Sequence, residues 1–234
     1  MRGLIVAAPA SGSGKTLVTL GLLRYLANSG EKVVSAKVGP DYIDPAFHAA
    51  ASGQPCRNLD AWAMRDETLN TVLSGLSDDG ELVVCEGVMG LFDGARAAPD
   101  TVSGSSADIA RMTNRPVVLI VDVRAQAASA AAVVRGFISH EPDVEIIGVI
   151  FNQIGGAEHA KILHSAITAS LPDIPVIGYL PRCEGLALPS RHLGLVQALE
   201  HPDLEGFISF VNDLDSVGAR EGEAVAEEEG AAAV

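Results

Sequence analysis

Lys15 and Thr16 close a turn-forming run, Ala8-Pro9-Ala10-Ser11-Gly12-Ser13-Gly14, which separates an apolar segment (Leu4 to Ala7) from a helical pattern (Leu17 to Leu26). The chemistry this order supports is the holding of a nucleoside triphosphate. Phosphate oxygens need converging backbone N–H donors, a mobile cation and a hydroxyl beside Mg²⁺, and a glycine-rich turn at a helix N-terminus supplies all three. Ser11, Gly12, Ser13, Gly14, Lys15 and Thr16 are the candidate nucleotide ligands. Pro9 stands six residues before the lysine, where the common pattern has glycine, so the loop is a variant recognised by its strand-turn-helix context. A flexible Gly/Ser linker would leave Lys15-Thr16 at the head of an amphipathic helix unexplained.

Two further polar segments follow apolar runs: Lys37-Val38-Gly39-Pro40-Asp41-Tyr42-Ile43-Asp44-Pro45 and Glu86-Gly87-Val88-Met89-Gly90-Leu91-Phe92-Asp93-Gly94. Mg²⁺ is held by one or two carboxylates, a hydroxyl and phosphate oxygens, which makes Thr16, Asp41 and Glu86 the candidate cation ligands. Asp44, ahead of Pro45, fits either the site or a helix cap. Lys37 is one of only four lysines and ends a strand pattern. A second cation there suits a transferring phosphoryl group or a substrate carboxylate. Three glycines in the nine residues from Glu86 to Gly94 suggest close backbone approach to a ligand, with Gly90 at its centre. Ser105 and Ser106 could grip a carboxylate or cap a helix, and Asn152 could read a base edge or form a turn. Arg191, predicted at the start of a helix, could hold an anionic group. His159 and His164 are five apart and do not share a helix face.

The elements that must position these residues alternate between strand and helix. Val- and Ile-rich runs at Gly3 to Ala8, Lys32 to Val38, Glu81 to Cys85, Pro116 to Val121, Glu145 to Phe151 and Pro175 to Tyr179 read as strands buried on both faces. Helices are predicted at Gly14 to Ser29, Asp66 to Leu76, Ser105 to Thr113, Gln126 to Ser139, Ala157 to Ser170, Ser190 to His201 and Asp203 to Leu214. This alternation implies a three-layer α/β domain with a mostly parallel sheet, and the glycine-rich turn with Lys15-Thr16 after its first strand gives the expectation of a P-loop NTPase fold. Ligands of such sheets collect beyond the carboxyl ends of the strands, where every segment named above falls.

Composition narrows the function classes. With 234 residues, 48% hydrophobic and 20% charged, the chain can bury one large core, expected over residues 1–216. A net charge of −14 disfavours nucleic acid as a partner. No apolar run reaches the roughly 18 residues that span a bilayer, and the start of the chain lacks the pattern of a secretory signal, so the expectation is a cytoplasmic protein without a membrane partner. Cys56, Cys85 and Cys183 are widely spaced, which argues against a zinc site or a disulfide framework. Residues 217–234, with five glutamates and one arginine, read as an acidic tail or the start of a linker.

Taken together, Ala8 to Thr16, Lys37 to His48 (KVGPDYIDPAFH), Glu86 to Gly94 (EGVMGLFDG) and Pro189 to Leu195 (PSRHLGL) resemble the cobyrinic and hydrogenobyrinic acid a,c-diamide synthases, with dethiobiotin synthetase as a more distant relative. The resemblance implies a dethiobiotin synthetase-like fold and ATP- and Mg²⁺-dependent amidation of the a and c acetates of a corrinoid through acyl phosphates, in cobalamin biosynthesis. It implies that Lys15 holds phosphates, that Lys37 steadies the phosphoryl group or substrate carboxylate, and that Thr16, Asp41 and Glu86 hold the cation. Asp44 and Asp93 would orient the reacting side chain or ammonia, and Tyr42 would shape the corrinoid pocket. It further implies a homodimer. Members of this family usually continue into a glutaminase domain, absent from these residues, so ammonia is expected from a separate or truncated domain or from solution. The same motifs would suit a diamide synthase for another tetrapyrrole such as nickel sirohydrochlorin. A partitioning ATPase of the ParA or MinD kind is the alternative from another class, and the acidic surface and the residues Ala10 and Ser11 speak against it.

Overall fold

The computed structural model describes residues 1–95, 102–183, 190–191, 194–195, 198 and 203–209. Its centre is a seven-stranded sheet in the order β3-β2-β4-β1-β5-β6-β7, with every pairing parallel. The strands are β1 (Arg2–Ala7), β2 (Val33–Val38), β3 (Cys56–Leu59), β4 (Leu82–Glu86), β5 (Val117–Asp122), β6 (Ile146–Ile154) and β7 (Val176–Pro181). The helices between them are α1 (Lys15–Asn28), α2 (Asp44–Ser52), α3 (Asp66–Asp79), α4 (Ser106–Thr113), α5 (Ala130–His140) and α6 (Ala157–Ser170).

Strand alternation divides the apolar residues between two layers. Ile5 and Ala7 of β1 face a core closed by Leu69 and Leu76 of α3, Ile109 of α4, Val134 of α5 and Leu163 of α6. Val6 and Ala8 face the other way, onto Leu20 and Leu23 of α1 and Phe47 of α2. That second layer is extended by Ala198 and Ile208, the latter in a helical stretch at residues 204–209 that the Arg24–Glu205 ion pair ties to α1. The strands are apolar on both sides because both sides are covered.

The sequence expectation misses four local features. The four-residue edge strand β3, Cys-Arg-Asn-Leu, carries two polar residues and gives too short a signal to read. Helix α2 has only the possible cap at Asp44, ahead of Pro45, as its sequence signal. Helix α5 begins at Ala130 rather than at residue 126, because a turn in which the Gln126 N–H bonds the Val123 carbonyl comes first. The helix expected from Ser190 to His201 is replaced at its start by the antiparallel pair β8 (Ser190–Arg191) and β9 (Gly194–Leu195). The expected tail at 217–234 and the end of the last predicted helix lie outside the described residues.

Helix α4 is fixed by a reciprocal cap: Ser105 Oγ accepts from the Asp108 N–H at 3.1 Å, and Asp108 Oδ2 accepts from the Ser105 N–H at 3.1 Å. Burial opposes charge on Asp108, but bonds from Ser103, Arg111 and Ser105 outweigh it and lower its pKa. A carboxylate with a depressed folded pKa stabilises the fold above its unfolded pKa, and that contribution disappears as pH falls through the folded value. Asp108→Asn should therefore lower the urea midpoint at neutral pH, and the difference from wild type should fade as pH drops below about 4.

Candidate functional site

At the carboxyl end of β1 the chain turns through Ser11 to Gly14 and enters α1. Gly12 and Gly14 sit at φ 75° and 95°, the left-handed region where glycine is free of side-chain strain, and Ser13 Oγ closes the turn on the Ala10 carbonyl at 2.9 Å. Lys15 Nζ folds back over this loop to the carbonyls of Ala10 (3.2 Å) and Met89 (2.6 Å). Burial lowers its pKa, with Glu86 opposing and Lys37 adding to the shift. An ammonium held only by carbonyls is a cation that a phosphate can take over.

Glu86, the last residue of β4, is 1% exposed and lies beneath that loop. Its Oε1 accepts from Thr16 Oγ1 at 2.7 Å and from Lys37 Nζ at 2.8 Å. Its Oε2 lies 2.6 Å from His48 Nε2. Lys37 also pairs with Asp44 Oδ2 at 2.7 Å. Parallel pairing sets Lys37 of β2 beside Glu86 of β4, while Asp44 and His48, four residues apart on α2, share the face turned toward them. Two cations and two carboxylates thus alternate, all four of them buried.

Their protonation follows from that packing. Burial alone would neutralise Glu86, but the bonds from His48 and Lys37 bring its pKa down to about 2. Burial likewise opposes charge on His48, and the bonds to Cys56 and Glu86 overcome it, raising its pKa to about 10. Lys37 is pushed above its usual value by Glu86 and Asp44 against burial. Asp44 is raised, by burial first and by Glu86 second, with Lys37 pulling the other way; its Oδ1 is buried with no partner.

The structure reassigns several residues singled out from sequence. Asp41 Oδ1 accepts from the N–H groups of Ile43 (2.7 Å) and Asp44 (3.1 Å), so Asp41 takes the helix-starting role considered for Asp44, and Asp44 takes the ion pair. Ser105 and Ser106 are buried, and both hydroxyls are engaged within the protein: the first caps α4, and the second receives the Val88 N–H at 2.9 Å and so braces the loop after β4. The glycines of that loop answer to the protein itself. A Cβ on Gly87 would stand 2.5 Å from Ser106 Oγ, and one on Gly90 would stand 2.6 Å from the Pro9 carbonyl. Asp93 Oδ2 accepts from the Gly90 N–H at 2.9 Å. Asn152 is buried, and its Nδ2 donates to the Ser13 carbonyl at 2.9 Å, bracing the phosphate loop. Arg191 lies in β8, not at a helix start.

Some members of the site escape sequence reasoning. His48 ends the KVGPDYIDPAFH segment; its i+4 spacing from Asp44 was the available signal. Trp62, 64% exposed, lies in the loop after β3, and Tyr42 (75%) and Met89 (44%) lie in those after β2 and β4, all beyond the carboxyl ends of the parallel strands. A cavity of about 390 Å³ opens beside the phosphate loop, lined by Ser11, Ser13, Asp122, Arg124 and Gln126 among others. Met89 and Gln153 hold left-handed conformations, φ 45° and 68°, although neither is glycine. The Met89 carbonyl holds Lys15, and Gln153 follows Asn152, which braces the phosphate loop.

Among the described residues no three His, Cys, Asp or Glu side chains gather as a metal site. The Thr16 hydroxyl and the Glu86 carboxylate are hard oxygen donors side by side at the foot of the phosphate loop, a set that fits Mg²⁺ completed by phosphate oxygens.

Comparison with known proteins matches residues 4–196 to the family described as the CobQ/CobB/MinD/ParA nucleotide binding domain. A hydrogenobyrinate a,c-diamide synthase of Brucella anthropi is 53% identical over 214 residues, 91% of this chain and 48% of that protein. A synthase of the same name from Sinorhizobium sp is 50% identical over 208 residues, 89% of this chain and 46% of that one. The chain spans about half the length of these curated relatives. Among solved structures, chloroplast FtsY of Physcomitrella patens superposes with a TM-score of 0.54 at 15% identity, covering 90% of this chain and 65% of that one. FtsY of Elizabethkingia anophelis gives 0.52 at 16%, over 88% and 65%. These likenesses show the fold.

Two outcomes follow from the packing. Lys37→Met leaves Glu86 and Asp44 without their shared counterion and should cost about 3–5 kcal/mol in urea denaturation. Cys85 is buried and its thiol is pushed up to about 12 by that burial, so thiol reagents should modify the half-buried Cys56 and Cys183 in native protein and reach Cys85 only on unfolding.

Proposed function

Because the chain belongs to the CobQ/CobB/MinD/ParA nucleotide binding domain family, we propose that it catalyses the ATP- and Mg²⁺-dependent amidation of the a and c acetate carboxylates of hydrogenobyrinic or cobyrinic acid. The observation that carries this reading is the bond from Thr16 to Glu86 within a cluster that also holds Lys37 and Asp44. It supports the reading because two hard oxygen donors and a second lysine next to the phosphate loop are more than phosphate binding alone requires. The names of the relatives supply the corrinoid.

A carboxylate is a poor electrophile because its carbonyl carbon carries a negatively charged oxygen and no leaving group. In the proposed reaction a substrate carboxylate oxygen attacks the γ-phosphorus of ATP, the bond to the β-phosphate oxygen breaks, and ADP departs. Ammonia then adds to the acyl phosphate carbon, phosphate leaves with the former carboxylate oxygen, and one proton is lost from nitrogen. Lys15 and the loop N–H groups bind phosphate oxygens, and Lys37 offsets charge on the transferring group. Thr16 and Glu86 would hold Mg²⁺, which would supply neutralisation of phosphate charge. Asp44, with one buried oxygen free, is suited to orient ammonia or the acetate arm. Asp93 and Gly90 shape the loop against the phosphate turn, and Asp41 sets the start of α2. Tyr42, Trp62 and Met89 offer an apolar edge to a macrocycle. Asn152 would meet the nucleotide through the loop it braces. Arg191 is assigned to a substrate carboxylate by the likeness of its segment. We place the reaction in the cytoplasm, in a homodimer, with no nucleic-acid or membrane partner; ammonia comes from solution or another domain.

Incubation with MgATP, ammonium and hydrogenobyrinic acid, followed by mass spectrometry, should show one and then two carboxyls converted to carboxamides, together with ADP. Lys15→Ala should abolish both products. ATP turnover indifferent to any tetrapyrrole would contradict the reading and favour a switch ATPase.

A further inference from the structure

His48 has no part in the chemistry above, yet it is wholly buried between two functional groups. One ring nitrogen, Nε2, lies 2.6 Å from Glu86 Oε2, and the other, Nδ1, lies 3.4 Å from Cys56 Sγ. The imidazole is therefore gripped on both sides. Glu86 divides its two oxygens between distinct tasks: Oε1 meets Thr16 and Lys37, and Oε2 meets His48. Rotation about the last side-chain bond of a glutamate is soft. Thr16 and Lys37 both pull on the same oxygen and do not by themselves fix the plane of the carboxylate. The bond at Oε2 does.

We propose that His48 is a positioning residue that sets the plane of the Glu86 carboxylate, so that Oε1 faces the Thr16 hydroxyl where Mg²⁺ accompanies ATP. The inference rests on the cation reading given under the proposed function. Cys56, at the start of β3, acts one step further out by orienting the ring through Nδ1. Outer partners of this kind change metal affinity by about 10–100-fold when removed.

The decisive experiment is ATP binding by isothermal titration calorimetry across a series of free Mg²⁺ concentrations, for wild type, His48→Phe and His48→Gln. Phenylalanine fills the volume without a donor, whereas glutamine keeps an N–H able to reach Oε2. His48→Phe should raise the Mg²⁺ concentration needed for half-maximal enhancement of ATP binding by at least about tenfold, with metal-free ATP affinity unchanged and His48→Gln close to wild type. A general packing defect would lower the melting temperature and leave the Mg²⁺ requirement alone. A folded His48→Phe with wild-type Mg²⁺ dependence overturns the inference. If His48→Phe does not fold, His48→Asn, whose shorter amide stops short of Oε2, decides by the same criterion. Wild-type ATP binding that ignores Mg²⁺ overturns the cation reading itself and this inference with it, and is thus distinct from failure of the variant alone.

Discussion

A carboxylate buried at the end of a central strand, Glu86, organises the rest of the molecule. Isolated in a core, its charge would cost several kcal/mol. It stays ionised because Lys37 and His48 reach it from β2 and α2 and Thr16 reaches it from the phosphate loop. Three separate segments must therefore converge on one residue. The parallel sheet makes this possible: β4 lies between β1, which launches the phosphate loop, and β2, which carries Lys37.

Around that centre, the close backbone approach that the glycines of the loop after β4 suggest is made to the protein itself. The loop after β4 presses against Pro9 and Ser106, and its Met89 carbonyl holds Lys15. Under the proposed amidation, phosphate binding would draw Lys15 away from that carbonyl. Filling of the nucleotide site and the position of the loop carrying Gly90 and Asp93 would thereby be linked. The exposed Tyr42, Trp62 and Met89 stand just beyond it, so the region that would meet a macrocycle adjoins the region that would meet ATP.

The sheet, most of its helices and the loops of the site were legible in the sequence because long Val- and Ile-rich runs and a glycine-rich turn carry strong periodic signals. What escaped reading has physical causes. Strand β3 is four residues long and half polar, and it is recognised only once β2 offers it a partner. The segment from Ser190 has helix-compatible residues, but pairing of β8 with β9 overrides that local preference. Residue types alone could not tell which of two nearby aspartates caps α2 and which pairs with Lys37; only the backbone turn at Asp41 separates them. His48 was invisible as a site residue because a lone histidine on a helix becomes informative only when its partner, 38 positions away, is known.

The proposed chemistry requires that Glu86 and Thr16 meet the cation. A crystal structure with a non-hydrolysable ATP analogue and Mn²⁺ in place of Mg²⁺, read by anomalous scattering, would test this directly. The predicted result is a single metal peak within coordination distance of Thr16 Oγ1 and next to Glu86 Oε1, with the imidazole of His48 still on Oε2. A metal bound to the phosphates but remote from both residues, with the cluster of Glu86, Lys37 and Asp44 unchanged, would contradict it.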